Sequence, residues 1–234
     1  MRTLVKYMEG INFTKTDLDT KSVAFEQFMD GFFKGDFGQY FTPREIIAFA
    51  IEMIQPGNEK LVLDPACGSG GPLLYALDHV RRDAAKYYPD HETDLEDAQD
   101  HFCYWHDFSE KRLFSIEIND ETTRVAKMNM IVHDDGHTNV VRADALDKLD
   151  KLEAWNSGFG RYRFDLVLTN PPFGMMVKKA EKPYLTDYEL SRYQANPAKG
   201  SASGDDSGDY KSGKKAIKQR PSVKTEIIFL EKVW

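Results

Sequence analysis

The tetrapeptide Asn170-Pro171-Pro172-Phe173 carries the most specific chemical signal in the chain. The exocyclic amine of a purine is a poor nucleophile because its lone pair is delocalised into the ring. The Asn170 side-chain oxygen and the Pro171 carbonyl can accept both amine hydrogens, and the two prolines stiffen the peptide so that these acceptors converge. Phe173 offers a face on which an extruded base can stack. A turn that only ends a strand explains the prolines but not Asn170 and Phe173 together, so we interpret the tetrapeptide as a site that orients such an amine.

A glycine-rich loop follows the apolar strand Leu61-Val62-Leu63, with the sequence Asp64-Pro65-Ala66-Cys67-Gly68-Ser69-Gly70-Gly71. Its glycines permit backbone angles and close approaches that a Cβ would block. The loop matches neither the dinucleotide-binding glycine pattern nor the phosphate-binding loop, which contains a lysine. Ligands of open parallel sheets bind at the carboxyl ends of the strands. The loop therefore predicts a nucleotide-type ligand, and a plain glycine-rich turn is the alternative.

Two further acidic residues follow predicted strands. Glu117 ends the strand predicted from Lys111 to Ile118, where a carboxylate can accept hydrogen bonds from both hydroxyls of a ribose. Asp144 follows the strand through Val141, and a short polar side chain there can meet the edge of an adenine ring. Each residue alone is compatible with a solvated surface. In this order after the glycine loop, they predict an adenosine lying across three strand ends.

The elements that position these residues alternate between strands and helices. We predict strands at 61–63, 111–118, 139–142 and 164–169, and helices from about Pro43 to Ile54, Pro72 to Tyr87 and Glu121 to His133. Thr42 is predicted as the N-cap of the first helix, with Pro43 at its first position. The fourth strand is apolar enough to be buried on both faces. This alternation predicts a Rossmann-like α/β fold with a doubly wound, mostly parallel sheet.

These motifs resemble, in type and order, those of the amino-DNA methyltransferases, and their order is that of the modification subunit of type I restriction systems. The resemblance covers roughly residues 22–174 and resumes from Lys224 to Glu231. It implies S-adenosylmethionine as the cofactor and N6 of a flipped-out adenine in double-stranded DNA as the target. It also implies a specificity subunit, and a restriction subunit where the system has one, as partners. The resemblance includes a Thr-Pro turn, Gln39 to Arg44, upstream of the glycine loop. Enzymes that methylate protein glutamine or ribosomal RNA share Asn-Pro-Pro but usually lack this turn, so its presence favours the DNA methyltransferases.

The resemblance places the reacting base at Asn170, Pro171, Pro172 and Phe173. It places the cofactor against a larger set of residues on the Thr-Pro turn, the glycine loop and the two later strand ends: Gln39, Tyr40, Phe41, Thr42, Pro43, Arg44, Asp64, Ala66, Gly68, Ser69, Gly70, Gly71, Glu117, Ile118, Asp144 and Ala145.

The chain departs from the family in one respect. The family's sheet continues for about three more strands after the helix that begins near Lys224. We therefore expect a partial catalytic domain at 38–234, preceded by a helical lead-in at 1–37 and exposing an apolar sheet edge. An insertion at about 89–110 has no structure that the sequence predicts. A loop at about 174–222, rich in Gly, Ser, Asp and Lys, is predicted to be mobile and either folds over DNA or serves as a passive linker.

Charge limits how this chain can bind DNA. The formal net charge is −7, whereas nonspecific DNA affinity comes mainly from lysine and arginine against phosphates. Residues 90–100 carry six acids and no base, which indicates a solvated surface. Residues 210–224 carry six bases and no acid, for which surface and DNA contact are both open interpretations. The acidity favours a partner that supplies part of the affinity for DNA.

The remaining composition argues against several other classes. No apolar run approaches the roughly 18–20 residues that cross a bilayer, and Met1 to Gly10 shows no secretory signal. Cys67 and Cys103 are too few and too distant for a disulfide framework or a Cys-x-x-Cys metal site, which predicts a cytoplasmic setting. The histidines match no ligand spacing, so no metal is expected. A non-catalytic cofactor-binding or assembly module, and an enzyme acting on protein glutamine or RNA adenine, remain as rival functions.

Overall fold

The computed structural model describes Thr20 and residues 42–133, 139–160, 163–178, 182–194 and 217–232. These residues fall into two compact units, the first ending at Asn170 and the second beginning at Pro171. The predicted lead-in at 1–37, apart from Thr20, lies outside the described residues, as does the polar stretch at 199–215.

The first unit is built on a four-stranded parallel sheet with the strand order β3-β2-β1-β4. Its strands are β1 (Val62–Asp64), β2 (Leu113–Glu117), β3 (Val140–Arg142) and β4 (Leu166–Val167). The chain moves outward from β1 to β3 and then returns to the other side of β1. The order therefore reverses between β1 and β4, which creates the crevice where ligands of doubly wound sheets bind. The predicted α/β fold is confirmed.

Within the described residues from Thr42 to Gly160, five helices connect and flank these strands: α1 (Arg44–Ile54), α2 (Gly71–Tyr87), α3 (Leu95–Lys111), α4 (Asp120–Val132) and α5 (Leu149–Trp155). Strand β2 is buried along its whole length, as a central parallel strand must be when helices cover both faces. The core joins Val62 and Leu113 of the sheet to the inward faces of α1, α2 and α3. Burial of these apolar side chains holds the helices against the sheet whose strand ends carry the predicted site residues.

The insertion at 89–110 contains helix α3, which packs on α2. Asp94 caps α3 by accepting hydrogen bonds from the amides of Glu96 at 2.9 Å and Asp97 at 3.0 Å. Acidic residues at a helix N-terminus interact favourably with the positive end of the helix dipole, so part of the acidic run stabilises this helix. On the other side of α3, Trp105 is buried and Arg81 of α2 lies 4.0 Å from the centre of its ring. The insertion thus contributes to the core.

Two local predictions are wrong. Helix α1 begins at Arg44 with Pro43 as its N-cap residue, so Thr42 does not cap it. The Thr42 hydroxyl instead accepts a hydrogen bond from Asn170 Nδ2. The fourth strand is only two residues long, and Val167 is 44% exposed because β4 pairs with β1 alone and forms the edge of the described sheet. The exposed Val167 agrees instead with the separate prediction of an apolar sheet edge.

The described residues of the second unit form two antiparallel strand pairs and one α-helix. Strand β5 (Met176–Lys178) pairs with β8 (Ser222–Lys224), and β6 (Arg192–Gln194) pairs with β7 (Ile217–Gln219). Helix α6 (Thr225–Glu231) follows β8 directly, close to the predicted helix start. A 3₁₀ turn at Pro183–Asp187 lies between β5 and β6. Within the span predicted as a mobile loop, the described residues thus form regular structure. We call the two strand pairs, β5 with β8 and β6 with β7, the arm.

None of the helices in the described ranges combines the length and the apolar character that crossing a membrane requires.

Truncation of Phe108 tests whether α3 belongs to the core. Phe108 is fully buried, so Phe108→Ala should lower the free energy of unfolding by about 3–5 kcal/mol in urea titrations. Phe102→Ala is the matched control, since Phe102 lies on the same helix and is 48% exposed, and it should cost about 1 kcal/mol or less. Equal losses in the two variants would show that α3 does not contribute to the core in this way.

Candidate active site

Asp64 ends β1 and is buried at the crevice between β1 and β4. Its Oδ1 accepts a hydrogen bond from the Ala66 amide at 3.1 Å, and the Thr169 hydroxyl donates to the same carboxyl group. The pKa of Asp64 is raised to about 7, mainly by burial, against the lowering effect of these two hydrogen bonds and with a smaller contribution from the nearby Glu117 carboxylate. Asp64 therefore connects β1 both to its own loop and to the residue that precedes Asn170.

The glycine loop turns back onto β2. The Cys67 amide donates to the Ile116 carbonyl at 3.1 Å, and the Gly70 amide donates to the Cys67 carbonyl at 2.8 Å. Gly68 and Gly70 adopt positive φ angles of 54° and 87°, which other residues adopt only with strain. Gly70 is also the N-cap residue of α2, so the loop leads directly into a helix N-terminus. The sequence prediction of a strand, a glycine turn and a helix is confirmed.

Glu117 ends β2 and holds this loop in place. Its Oε2 accepts a hydrogen bond from the Gly68 amide at 3.1 Å, and its Oε1 accepts one from the Asn119 amide at 2.8 Å. Burial raises the pKa of Glu117, and the amide donors of Asn119, Gly68 and Ile118 oppose that rise. Each carboxylate oxygen has more than one acceptor position, so each can still accept a further hydrogen bond. The structure thus brings the glycine loop and the second predicted acid together.

Asp144 follows β3, the neighbour of β2. Its Oδ1 accepts a hydrogen bond from the Leu146 amide at 3.0 Å, which fixes the turn after the strand. The Ala143 amide donates to the Glu117 carbonyl at 3.1 Å, so the two turns are joined through the backbone. Asp144 is half-buried, and Ala145 beside it is buried. Ile118, between the two acids along the chain, is 57% exposed.

Two residues that the sequence did not single out also hold these turns. Asn129 of α4 donates from Nδ2 to the Ser69 carbonyl at 2.8 Å, and its buried Oδ1 accepts no hydrogen bond from the residues that the structure describes. Asn119 accepts a hydrogen bond from the Thr122 amide and so caps α4. An Asn followed by Asp120 and Glu121 is a recognisable N-cap pattern. For Asn129 no sequence signal exists, because helical periodicity does not separate a buried amide from a solvated one.

Asn170 is held by the turn that precedes α1. Its Nδ2 donates to the Thr42 hydroxyl at 3.0 Å across 128 residues of chain. Since the amide nitrogen is taken by Thr42, the Asn170 oxygen is the atom that this arrangement leaves as an acceptor. Pro43 and Arg44 lie at the start of α1. The predicted cofactor residues Gln39, Tyr40 and Phe41 lie outside the described residues.

The tetrapeptide crosses from the first unit into the second. Asn170 closes the first unit, whereas Pro171, Pro172 and Phe173 open the second. Within the second unit Phe173 is 67% exposed, and the amide of the following Gly174 donates to Glu226 Oε2 at 3.2 Å. This contact anchors the chain just after Phe173 to helix α6.

The cysteine of the glycine loop takes no visible part in this chemistry. Cys67 is buried in the core, and burial raises the pKa of its thiol well above the usual value. A thiol that stays protonated is a poor nucleophile, so Cys67 serves as a small apolar side chain of the core. Cys103 is exposed, and both cysteines are free. Within the described residues no cluster of three or more His, Cys, Asp or Glu side chains could hold a metal ion.

Comparison with known proteins gives a consistent result. A family model described as N-6 DNA Methylase matches residues 16–203. The chain is 29% identical over 141 residues to the methylase subunit of the type I restriction enzyme EcoEI of Escherichia coli, and 34% identical over 143 residues to that of StySPI of Salmonella potsdam. Each alignment covers 60% of this chain and 24% of the relative, so the chain spans about a quarter of their length.

A solved structure has the same fold. The modification subunit of a type I restriction enzyme from Vibrio vulnificus YJ016 matches with a TM-score of 0.53 and 26% identity. The match covers 81% of this chain and 35% of that one.

Replacement of Asp64 tests the raised pKa. The folded chain keeps a proton on Asp64 up to about pH 7, whereas the unfolded chain loses it near 3.8. Wild-type stability therefore decreases as pH rises through this window. Asp64→Asn cannot lose that proton, so its stability relative to wild type should increase from about pH 4 to 7 by an amount on the order of a few kcal/mol and then level off.

Urea unfolding at a series of pH values measures this difference. Asp107→Asn, which replaces an exposed carboxylate, is the control and should show no such increase. A constant difference between Asp64→Asn and wild type over this range would contradict the raised pKa.

Proposed function

The chain belongs to the N-6 DNA methylase family, and we propose that it transfers a methyl group from S-adenosylmethionine to N6 of a flipped-out adenine in double-stranded DNA, within a restriction-modification system. The observation that carries the proposal is the hydrogen bond from the Gly68 amide to Glu117 Oε2. It joins the glycine loop to the acidic end of the next strand, and this is the arrangement that an adenosine lying across strand ends requires.

The residues at these strand ends fit an adenosine-containing cofactor. A Cβ at Gly68 would meet no atom of the described residues within 4 Å, so these residues leave open space beside the loop backbone. We assign the ribose hydroxyls to Glu117 and the adenine edge to Asp144. Ser69 to Gly71 would border the methionine part, together with the segment from Gln39 to Arg44. When bound, the cofactor supplies an electrophilic methyl group.

Asn170 positions the target amine in this proposal. The Thr42 hydroxyl occupies its amide nitrogen, so the side-chain oxygen is the atom offered to an amine hydrogen. The Pro171 carbonyl accepts the second hydrogen, and Phe173 stacks on the base. Stacking and hydrogen bonding offset the free energy of base flipping, which is about a few kcal/mol. No general base is required, because the product can lose its proton after transfer, so orientation is the main contribution.

Partners follow from the relatives and from charge. The relatives are named as methylase subunits of type I restriction enzymes. We propose that this chain likewise acts with a specificity subunit, and with a restriction subunit where the system has one. A chain with a formal net charge of −7 gains from a partner that adds cations facing the phosphates. The two free cysteines suit the cytoplasm, where such a system meets DNA.

Calorimetric titration of S-adenosylmethionine tests the cofactor site. Glu117→Gln keeps the size of the side chain but replaces one acceptor oxygen with a donor, so the Gly68 amide, the Asn119 amide and a ribose diol can no longer all be satisfied. We expect affinity to fall about 10- to 100-fold, since hydrogen bonds to charged groups contribute about 1.5–3 kcal/mol. Asp120→Asn, an exposed carboxylate on the following helix, should bind like wild type.

Wild-type affinity in a folded Glu117→Gln variant, with folding checked by thermal unfolding, would sink the assignment of Glu117. Binding by wild type without methyl transfer to any substrate would favour the non-catalytic module instead.

A labelled-methyl assay on the chain with its specificity partner tests the substrate. Duplex DNA should accept the label at adenine N6, whereas RNA and protein should not. Asn170→Ala should lower kcat about a hundredfold or more, by analogy with loss of one transition-state hydrogen bond. Thr42→Val should lower kcat less, because it loosens the Asn170 amide without removing its oxygen. Asn170→Ala should retain cofactor affinity, because Asn170 is assigned to the target base. Label in RNA or protein rather than DNA would contradict the proposal.

A further inference from the structure

The arm of the second unit carries a concentration of positive charge that the proposed reaction does not use. We call residues 176–178, 192–194 and 217–224 the basic ribbon; they comprise strands β5 to β8 and the link between β7 and β8. The ribbon holds five cations and no acid, in a chain whose formal net charge is −7. All five are exposed: Lys178, Arg192, Lys218, Arg220 and Lys224.

In one of the two strand pairs of the ribbon, the pleat separates an apolar face from a basic one. In the pair of β5 and β8, Val177 lies opposite Val223, which is buried. Side chains alternate between the two faces of a strand, so the residues on either side of this pair point the other way. These include Lys178 opposite Ser222, and Lys224 opposite Met176. The valine pair thus lies on one face of these two strands, and the exposed Lys178 and Lys224 lie on the other.

The ribbon is anchored by contacts that the sequence pattern does not show. The Arg220 amide donates to the Ser191 carbonyl at 2.7 Å, which continues the pairing beyond β7. Glu231 of α6 accepts hydrogen bonds from the Glu189 amide and, at 2.7 Å, from the Leu190 amide. Buried Ser191 donates to the Leu185 carbonyl at 2.6 Å. The cations therefore project from a braced scaffold, which lowers the entropy lost when they bind a partner.

From these observations we propose that the basic ribbon binds the phosphate backbone of double-stranded DNA beside the target adenine. The inference rests on the proposed function. The backbone of Phe173 reaches Met176 in three residue steps, a span of at most about 10 Å. A base stacked on Phe173 therefore brings its duplex to the start of the ribbon. Two-stranded antiparallel ribbons also fit the DNA major groove, which is about 12 Å wide.

The spacing of two cations at the end of β7 suits contact with DNA phosphates. Lys218 and Arg220 lie two residues apart, which is about 7 Å on an extended strand. That is about twice the 3.4 Å axial interval between phosphates of one DNA strand. Duplex RNA is a poorer fit, because its deep, narrow major groove does not admit such a ribbon.

Salt dependence of DNA binding tests the ribbon. The triple variant Lys178→Gln, Lys218→Gln and Lys224→Gln removes three cations and preserves side-chain length. Affinity for a short duplex is measured by fluorescence anisotropy between about 50 and 200 mM salt. The slope of log affinity against log salt should become shallower by about 1 for each lysine that contacts phosphate. Binding of S-adenosylmethionine should be unchanged.

The control removes equal charge from the first unit. Lys86→Gln, Lys111→Gln and Lys151→Gln together replace three exposed lysines whose side chains are 73%, 62% and 63% exposed. This variant should keep the wild-type slope. Equal slopes in the wild type and the ribbon variant, or equal changes in the two triple variants, would overturn the ribbon as a DNA contact. Duplex RNA that competes as well as DNA would also overturn it.

The same preparation separates the two proposals. A wild type that methylates adenine while the ribbon variant keeps its slope contradicts only the ribbon. A wild type that binds duplex DNA through the ribbon but transfers no methyl group, even with its specificity partner, contradicts only the proposed function.

Discussion

Burying a carboxylate at a strand end costs free energy unless amide donors surround it, and this chain buries two such groups side by side. Asp64 receives the Ala66 amide, and Glu117 receives the amides of Gly68 and Asn119. These donors belong to the turns that follow β1 and β2, so satisfying the carboxylates also sets the path of both turns. The geometry of these neighbouring strand ends is therefore set by the need to satisfy the buried carboxyl groups with hydrogen bonds.

Much of this arrangement could be predicted from the sequence, because strand ends in a parallel sheet share one edge. The order of Asp64, Glu117 and Asp144 relative to the glycine loop was enough to predict that they end neighbouring strands. Each wrong prediction has an identifiable physical cause. Thr42 matches an N-cap pattern, but its hydroxyl is taken by Asn170, a partner 128 residues away that no local pattern contains. Helix α3 carries the N-cap signal of Asp94, but the acids around Asp94 favoured the interpretation of the whole segment as solvated surface.

Charge divides the chain in a way that the net value conceals. The described strands of the second unit are basic, whereas acids cluster at the start of α3 in the first unit. The first unit thus supplies the strand ends and the second supplies cations. Asn170 and Phe173 belong to different units, although only two prolines separate them. Those prolines restrict the backbone angles of the tetrapeptide itself.

The short edge strand β4 has a consequence for how the protein folds. It pairs only with β1, and the Leu61 amide reaches Asp165 Oδ2 across 104 residues, so β4 joins the sheet through a long loop closure. The pairs of β1 with β2 and of β2 with β3 close shorter loops and lose less chain entropy. Contacts between distant residues form slowly, so the sheet should assemble from β1 to β3 before β4 docks. Asn170 would then be placed last, onto strand ends that have already formed.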